Sequence, residues 1–444
     1  MSLKSKIKKL IPEQLISFYH LTLAFSAAFY YGWPSKKMIV VGITGTKGKT
    51  SSANFIWSVL MAGGYKTGLI GTANIRIGEV EMLNKYHMTM PGRFILQKTL
   101  KQMLNAGCKY CIVETTSEGI KQWRHYGIFY DIAVFTNLTP EHLQAHSGDF
   151  QKYKTAKGGM FKALAKGERK IIDGKEVKKF IIANSDSAHA GYYLNFGADK
   201  KITYGLNSGD VLAKEVKNTP DGLEFSIGAE KYLINILGKF NVYNALPSVI
   251  IGKIFEISYD RIEEGLKNLK IIPGRMEKID EGQNFIVFVD YAHEREGMTA
   301  ILETARELTA GKVIVLLGAE GGGRDKSKRP ILGEIAAKLA DFVVISNVDP
   351  YEDDPKEICE DIAVTAENPL RQSADGGGKI RGQNLFVIED RREGIKKALS
   401  LAGQNDVVLI TGKGAEQSIV IGGRHYPWDD RVVVREELWY NATT

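Results

Sequence analysis

Cysteine is nearly absent: Cys108, Cys111 and Cys359 are the three in 444 residues. Three thiols cannot form a disulfide framework, so stability must come from hydrophobic cores, as in a chain kept in a reducing cytoplasm. Cys108 and Cys111 do make a C-x-x-C. No second cysteine pair or nearby histidine cluster completes a zinc site, and the segment reads as a buried strand. The chain also lacks an uninterrupted apolar run of the ~20 residues needed to span a bilayer. Residues 21–33 come nearest, and they carry Thr22, Ser26 and Gly32. A basic stripe with interleaved aromatics is missing too. The net charge of +7 is spread along the chain, which suits a site for phosphorylated, acidic small molecules better than a nucleic-acid surface. No repeat of solenoid length is present.

What is present is ordinary for a large folded chain. Hydrophobic residues make up 44% and charged residues 25%, enough for more than one core without a long disordered tract. At this length two or three domains are expected. From Met38 onward the apolar runs MIVVGIT, TGLIGT, YCIVET, DIAVFTN and FIIAN alternate with helical patterns, which is the signature of a mostly parallel α/β sheet. Around ITYGLNSGDVLAKEVKNTPDGLEFSIGAEKYLINIL the pattern changes to short strands with turn residues, read as an antiparallel appendage. After Pro273-Gly274 a second α/β series begins with FIVFVDYA, KVIVLLGA, DFVVISN, NLFVIED and DVVLITG. Three parts are expected: a helical extension at 1–37, a central P-loop domain at 38–273 and a Rossmann-like α/β domain at 274–444. GGGKIRGQN, from Gly376, reads as a loop.

The strongest signal lies where MIVVGIT runs into GTKGKTS and then ANFIWSVLMAG. A strand that ends in glycines and passes into a helix brings backbone N–H groups and the positive end of a helix dipole to one point, where phosphate oxygens bind. Gly45, Thr46, Lys47, Gly48 and Ser51 would line that point, Lys49 would add a fixed positive charge, and Thr50 a hydroxyl for Mg²⁺. Ile43 stands where the commoner G-x-x-x-x-G-K-[ST] pattern has its first glycine. Nucleotide triphosphate binding, with ATP as ligand, is the expectation.

Strands of such sheets present their carboxyl ends to ligands. Glu114 ends YCIVE and is placed to hold Mg²⁺, with Thr115 and Thr116 directly after it. His142 and His146 follow the next strand in NLTPEHLQAH, and His142 is the better ligand candidate. Lys157 comes fifteen residues later in YKTAK.

The ordered set GTKGKTS, Glu114, NLTPEHL and YKTAK resembles the Mur ligases, the ATP-dependent amide-forming enzymes of peptidoglycan precursor synthesis. The resemblance extends over roughly nine tenths of the chain and implies an acyl-phosphate ligase with two Mg²⁺ ions. It casts Lys49, His142, Lys157 and Arg275 as catalytic. Thr50, Glu114 and His142 would be metal ligands, and so would Lys157 if carbamylated. GKFNVYNAL would put Asn241 and Asn244 near the nucleotide, with Arg275 of PGRME and Asp290, Tyr291 and His293 of VDYAHE facing ATP once the last domain closes. HMTMPGRF would touch the muramoyl-peptide acceptor through Thr89 and Pro91, with Thr115 and Thr116 beside it. GAEGGGRDKSKRP with Arg324 and Arg329, Asp349, and GKGAEQ with Gly412 and Glu416 would hold the incoming amino acid.

The subgroup that adds the third residue of the stem peptide looks nearest. Three features depart from it. Asn347-Val348-Asp349-Pro350-Tyr351 stands where an Asp-Asn-Pro-Arg signature for diaminopimelate is usual, Glu118 stands where a His is common, and only about forty residues precede the loop, where these ligases usually carry a domain for uridine diphosphate. A folylpolyglutamate- or cyanophycin-synthetase-like ligase shares the core and is the alternative enzyme. A P-loop ATPase or nucleotide-sensing module without ligase activity is the alternative of another class. The ligase reading implies a cytoplasmic monomer with no nucleic-acid partner.

The amino terminus keeps its own alternatives. Lys4, Lys6, Lys8 and Lys9 precede the aromatic-rich IPEQLISFYHLTLAFSAAFYYGW. A helix packed on the catalytic domain, an interfacial helix giving peripheral contact with the inner membrane surface through residues 4–33, and a span or signal all fit this pattern.

Overall fold

The structure, a computed structural model, describes residues 12–86, 88–141, 143–219, 222–366 and 384–443. The loop expected from Gly376, the lysines at 4–9 and His142 lie outside the described residues. The chain divides into two compact units, one of residues 1–235 with 241–270, the other of 236–240 with 271–444.

In the first unit an eleven-stranded sheet has the order β13-β12-β11-β10-β9-β6-β1-β5-β2-β3-β4. Its centre is parallel: β1 (Ile39–Thr44) lies between β5 (Tyr110–Glu114) and β6 (Ile132–Phe135), with β2 (Thr67–Ile70) beyond β5 and β9 (Phe180–Asn184) beyond β6. These strands are buried end to end, which is why they appear in the sequence as unbroken apolar runs rather than alternating ones. A hairpin, β3 (Asn74–Ile77) and β4 (Val80–Leu83), extends one edge antiparallel. A two-stranded β7–β8 hairpin (Ile171–Ile172, Lys175–Glu176) stands apart.

The segment read as an antiparallel appendage does not stand apart. β10 (Lys200–Gly205) pairs parallel with β9, and β11 (Val211–Thr219) continues from β10 before β12 (Gly222–Ile227) and β13 (Glu230–Ile234) turn antiparallel. The short strands and turns were legible, whereas the register joining them to the central sheet is a long-range pairing that local pattern does not encode.

The start of β1 is fixed by a buried ion pair. Lys170 Nζ lies 2.5 Å from Asp131 Oδ2 and also donates to the carbonyls of Met38 and Phe129, while Asp131 accepts from the Val40 amide at 2.8 Å. Both charges are therefore hydrogen-bonded as well as paired, the condition under which a buried pair is tolerated.

Helix α1 (Glu13–Tyr30) packs on this unit by its small residues. Ala24, Ala27 and Ala28 are buried, and a Cβ added at Gly127 would lie 2.6 Å from the Ala28 Cβ. Trp123 Nε1 donates to Ser17 Oγ at 2.8 Å, and Glu13 pairs with Lys121 at 2.9 Å. Among the described residues no helix is long and apolar enough to cross a membrane.

His125 stacks on Trp123, and burial pushes its imidazole down to about 4. A histidine held neutral in the fold protonates more readily when unfolded, so its contribution is complete above about pH 6.5 and is lost as pH falls through about 4. We expect thermal melts to lose about 2 kcal/mol of stability over that window. His125→Phe, which keeps the stack, should flatten that slope, and an unchanged slope would assign the pH dependence to other groups.

The second unit has a six-stranded sheet in the order β14-β15-β19-β16-β17-β18. β15 (Ile286–Asp290), β19 (Val407–Thr411), β16 (Val313–Leu317), β17 (Phe342–Ile345) and β18 (Leu385–Val387) are parallel, and β14 (Glu277–Ile279) caps the edge antiparallel. Apolar residues cover both faces: Leu302, Leu332 and Ile362 on one, and Ile395, Ala398 and Val434 on the other. The architecture is α/β in both units.

Candidate active site

β1 ends at Thr44, and the chain turns through Gly45–Gly48 into helix α2 (Lys49–Ala62). Gly48 has φ 80, left-handed backbone that glycine adopts without strain, and no side chain caps the helix. The first-turn amides of α2 are therefore directed at the loop with no acidic side chain to satisfy them. A Cβ at Gly45 would collide with the Thr136 hydroxyl, so the loop lies tight against the end of β6.

The NLTPE segment holds this loop in place. Lys47 N donates to Asn137 Oδ1 at 2.8 Å, Thr46 N to the Asn137 carbonyl at 2.9 Å, and Thr139 N to Thr46 Oγ1 at 3.0 Å. Lys47 Nζ pairs with Glu141 at 2.8 Å. Lys49 folds back on the loop, its Nζ 2.9 Å from the carbonyls of both Gly45 and Thr46.

Lys157 reaches the same point from the helix Phe150–Lys166. Its Nζ donates to the Gly45 carbonyl at 2.8 Å and lies 4.5 Å from the Tyr153 ring centroid, and the residue is 2% exposed. Burial, reinforced by the Lys49 ammonium and opposed by Glu141, pushes the Lys157 amine well below the usual lysine range. The amine is thus biased toward its neutral form.

On the other side of β1, Thr50 Oγ1 donates to Glu114 Oε2 at 3.0 Å. Glu114 also accepts from the Thr72 amide at 2.8 Å and the Thr72 hydroxyl at 3.0 Å, and that hydroxyl contacts Thr89 Oγ1 at 2.9 Å. A chain of oxygens therefore runs from the phosphate loop to the stretch expected to touch the acceptor. Hydroxyl and carboxylate oxygens are the donor set that a hard divalent cation takes, so Thr50 and Glu114 fit Mg²⁺. No group of three or more His, Cys, Asp or Glu gathers as a metal site among the described residues.

Other expected residues occupy defined places. Ser51 and Pro91 are buried. Thr115 is fully buried, with its hydroxyl shared by Tyr130 and the Val113 carbonyl, and Thr116 caps the helix Ser117–Lys121 through the Gly119 amide. Asn244 donates to Asn241 at 2.8 Å, and its side chain lies against Gly48. His146 is buried beside Tyr153, and burial lowers its imidazole, helped by Lys121 and Lys157. The exposed Glu118 sits one turn from the end of β5.

In the second unit the expected residues form a separate cluster. Asp290 accepts from the amides of Met276 and Ala292, both at 2.7 Å. The Arg275 guanidinium lies 4.3 Å from the Tyr291 ring centroid, and His293 Nδ1 is 2.6 Å from the Tyr291 carbonyl. Tyr291 Oη donates to Glu416 at 3.3 Å. Lys413, fully buried, bonds Asp349 and Glu416 at 2.8 Å each. Burial raises the Glu416 carboxyl, with Lys413 opposing and Asp349 adding to the rise. Gly412, at φ 108, packs against Val348.

Arg329 is 1% exposed and pairs with Asp361 at 2.8 Å, so its charge is neutralised within the fold. Burial raises the Tyr351 phenol and the neighbouring Arg324 charge opposes that rise; Tyr351 takes left-handed backbone at φ 54. Burial works against ionisation of Glu320, yet His293, Lys328 and Arg324 around it hold its carboxyl well below the usual range.

Reading the sequence missed Thr72, Asn137, Glu141 and Tyr153. Asn137 and Glu141 lie inside a motif already singled out, where alternation of polar and turn residues at a strand end was the available signal. Thr72 had none.

Comparison with known proteins agrees with this geometry. Residues 43–252 match the Mur ligase middle domain and residues 274–414 the family described as Mur ligase, glutamate ligase domain. A UDP-N-acetylmuramoyl-L-alanyl-D-glutamate--2,6-diaminopimelate ligase of Geobacillus kaustophilus is 36% identical over 432 residues, covering 96% of this chain and 84% of that protein. A UDP-N-acetylmuramyl-tripeptide synthetase of Roseiflexus sp. is also 36% identical, with the same coverage of 96% and 84%. A solved 2,6-diaminopimelate ligase superposes with a TM-score of 0.59 at 27% identity, over 92% of this chain and 80% of that one. Folylpolyglutamate synthase of Mycobacterium tuberculosis reaches a TM-score of 0.69 at 16% identity over 88% and 92%, a likeness of fold.

Proposed function

The chain belongs to the Mur ligase family, and from that premise we propose how its residues divide the work. It is an ATP-dependent acid–amino-acid ligase of peptidoglycan precursor synthesis. In the reaction of this class a carboxylate oxygen attacks the γ-phosphorus of ATP, giving an acyl phosphate and ADP. An amine then adds to the acyl carbon, and the tetrahedral adduct loses a proton from its nitrogen and expels phosphate.

The loop amides of 45–51 and Lys49 hold the triphosphate and counter the charge that develops on the transferring phosphoryl group. Asn241 and Asn244 serve the nucleotide, and Thr72 and Thr89 orient the acceptor. Thr50, Glu114, His142 and a carbamylated Lys157 would hold Mg²⁺, as two ions. The metal would supply neutralisation of phosphate and carboxylate charge. In the second unit Arg275, Asp290, Tyr291 and His293 serve ATP. Asp349, Gly412 and Glu416 receive the amino acid's amine end. Arg324 takes the carboxylate role that an arginine at position 351 would otherwise fill, while Arg329 acts by holding its loop. The acceptor is a muramoyl peptide, and the enzyme acts as a cytoplasmic monomer with peripheral membrane contact through its first helix.

The observation that carries this reading is the convergence of Lys49 and Lys157 on one loop carbonyl, with Thr50, Glu114, Thr72 and Thr89 linked beside it. The test is ADP release by purified protein offered a UDP-muramoyl dipeptide, a lipid-linked muramoyl dipeptide or a folate, each with a panel of amino acids. Release should require both a muramoyl acceptor and one amino acid. Equal phosphate release with and without the pair would overturn the ligase assignment, and a folate preference would move it to the alternative enzyme.

A further inference from the structure

Helix α1 is packed inside out for a helix of a soluble domain. Its inward side is Ala24, Ala27 and Ala28, seated on Gly127, while its large residues point outward. Leu15, Phe18, Tyr19, Phe25, Phe29 and Tyr30 recur at helical spacing and form one exposed face. Phe18, Phe29 and Tyr30 are 68%, 69% and 75% exposed. From Gln14 to Tyr30 the helix contains no Asp, Glu, Lys or Arg. Scattered exposed apolar residues need no explanation, but a continuous aromatic face without a charge marks something that covers it.

We propose that this face lies in the headgroup region of an anionic phospholipid bilayer. Two observations favour lipid over protein. Lys4, Lys6, Lys8 and Lys9 precede the helix with no acidic residue among residues 1–12, a local charge that anionic lipid attracts. The composition of the face also fits: Phe and Leu supply apolar depth, and Tyr19 and Tyr30 have the amphipathic rings that settle at a membrane–water boundary. The helix lies along the surface, since among the described residues none can cross. Anchoring points such as Ser17 to Trp123 and Glu13 to Lys121 hold it on the ligase unit, so the whole enzyme is carried to the membrane.

Flotation of the full chain with vesicles tests this without reference to catalysis. Binding is expected on phosphatidylcholine mixed with phosphatidylglycerol, weakly on phosphatidylcholine alone, and less at high salt. Phe18→Ser with Phe29→Ser should lower the partition constant at least about tenfold on both vesicles, while melting temperature and turnover on a soluble acceptor stay unchanged. Replacing the four lysines at 4, 6, 8 and 9 by Gln should remove the gain from phosphatidylglycerol alone. The proposal is overturned if the wild-type chain fails to float with anionic vesicles, or if the double Phe variant floats as well as wild type. It is also overturned if sedimentation finds a dimer that the double Phe variant abolishes while vesicles bind neither protein, because the face would then belong to a second copy.

Discussion

Lys157→Ala is expected to lower ligase turnover by at least about a thousandfold, with a small loss of stability. The reason lies in the charge around Gly45. Two lysine amines converge on that one carbonyl, and the opposing pull of Glu141 on Lys157 is weaker than burial and the Lys49 charge. Two ammonium groups so close in a buried place repel, and the deeper one is driven toward the neutral amine. A neutral amine is nucleophilic. Attack of its nitrogen on CO₂ would form an N–C bond, release one proton and leave a carbamate, putting a negative group in place of a neutral amine beside Lys49. That would give a carboxylate-like group facing the phosphate loop, in keeping with the oxygen donors of Thr50 and Glu114.

A plain loss of activity in Lys157→Ala would fit a structural role as well, so the informative readout is rescue. Bicarbonate should not restore the alanine variant, because no amine remains to carry the carbamate. A short carboxylic acid should restore part of the turnover by occupying the vacated volume. Full activity without any addition would remove the carbamate from the mechanism. A loss accompanied by a large drop in melting temperature and no rescue would make Lys157 a positioning residue for the loop.

How much of this was legible without coordinates follows the range of the interactions involved. The loop, its helix and Glu114 were readable because strand, glycines, lysine and helix occur in order within a few residues and each demands its neighbour. Arg275, Tyr291 and His293 could be named from local motifs, but the bond from Tyr291 to Glu416 joins segments far apart in sequence. Thr72 was invisible for the same reason: a lone threonine after a short strand looks like any turn residue until Glu114 is folded against it. The orientation of α1 was also unreadable. Aromatics and alanines at helical spacing define two faces, and which one turns inward depends on Gly127, nearly a hundred residues away.

Arg324 is the opposite case: sequence pointed to an absent arginine, and the fold sets another arginine beside the residue that stands in its place. Tyr351 stands where an arginine was expected, and the glycine-rich loop brings Arg324 to that tyrosine. Close packing explains the glycines: a Cβ on Gly322 would press on the Tyr351 ring at 2.7 Å. If Arg324 reads the amino acid's carboxylate, as proposed above, Arg324→Ala should weaken amino-acid binding more than ATP binding, and an unchanged Michaelis constant for the amino acid would remove that role.

Lys413→Met is expected to cost about 3–5 kcal/mol at neutral to alkaline pH and to raise the Michaelis constant for the amino acid by at least about tenfold. Lys413 is fully buried between Asp349 and Glu416, and methionine keeps its volume while removing its charge. Two carboxylates would then share a site without a cation. Asp349 is held there by the Val420 amide at 2.7 Å, so relief must come from proton uptake, and Glu416 is the group whose carboxyl already sits above its usual value. A carboxyl raised in the fold binds protons that the unfolded chain has released, so the folded variant gains stability as pH falls toward the unfolded value near 4.5. The difference between variant and wild type should therefore shrink on acidification, whereas His125 lowers both alike over the same range. Adding Asp349→Asn to Lys413→Met should recover part of the loss at pH 8 without restoring the Michaelis constant, since Glu416 still lacks the ammonium that fixes it opposite Tyr291. A Lys413→Met protein as stable as wild type at pH 8 would show that the triad is solvated, and that Glu416 is not held for the incoming amine by the lysine beside it.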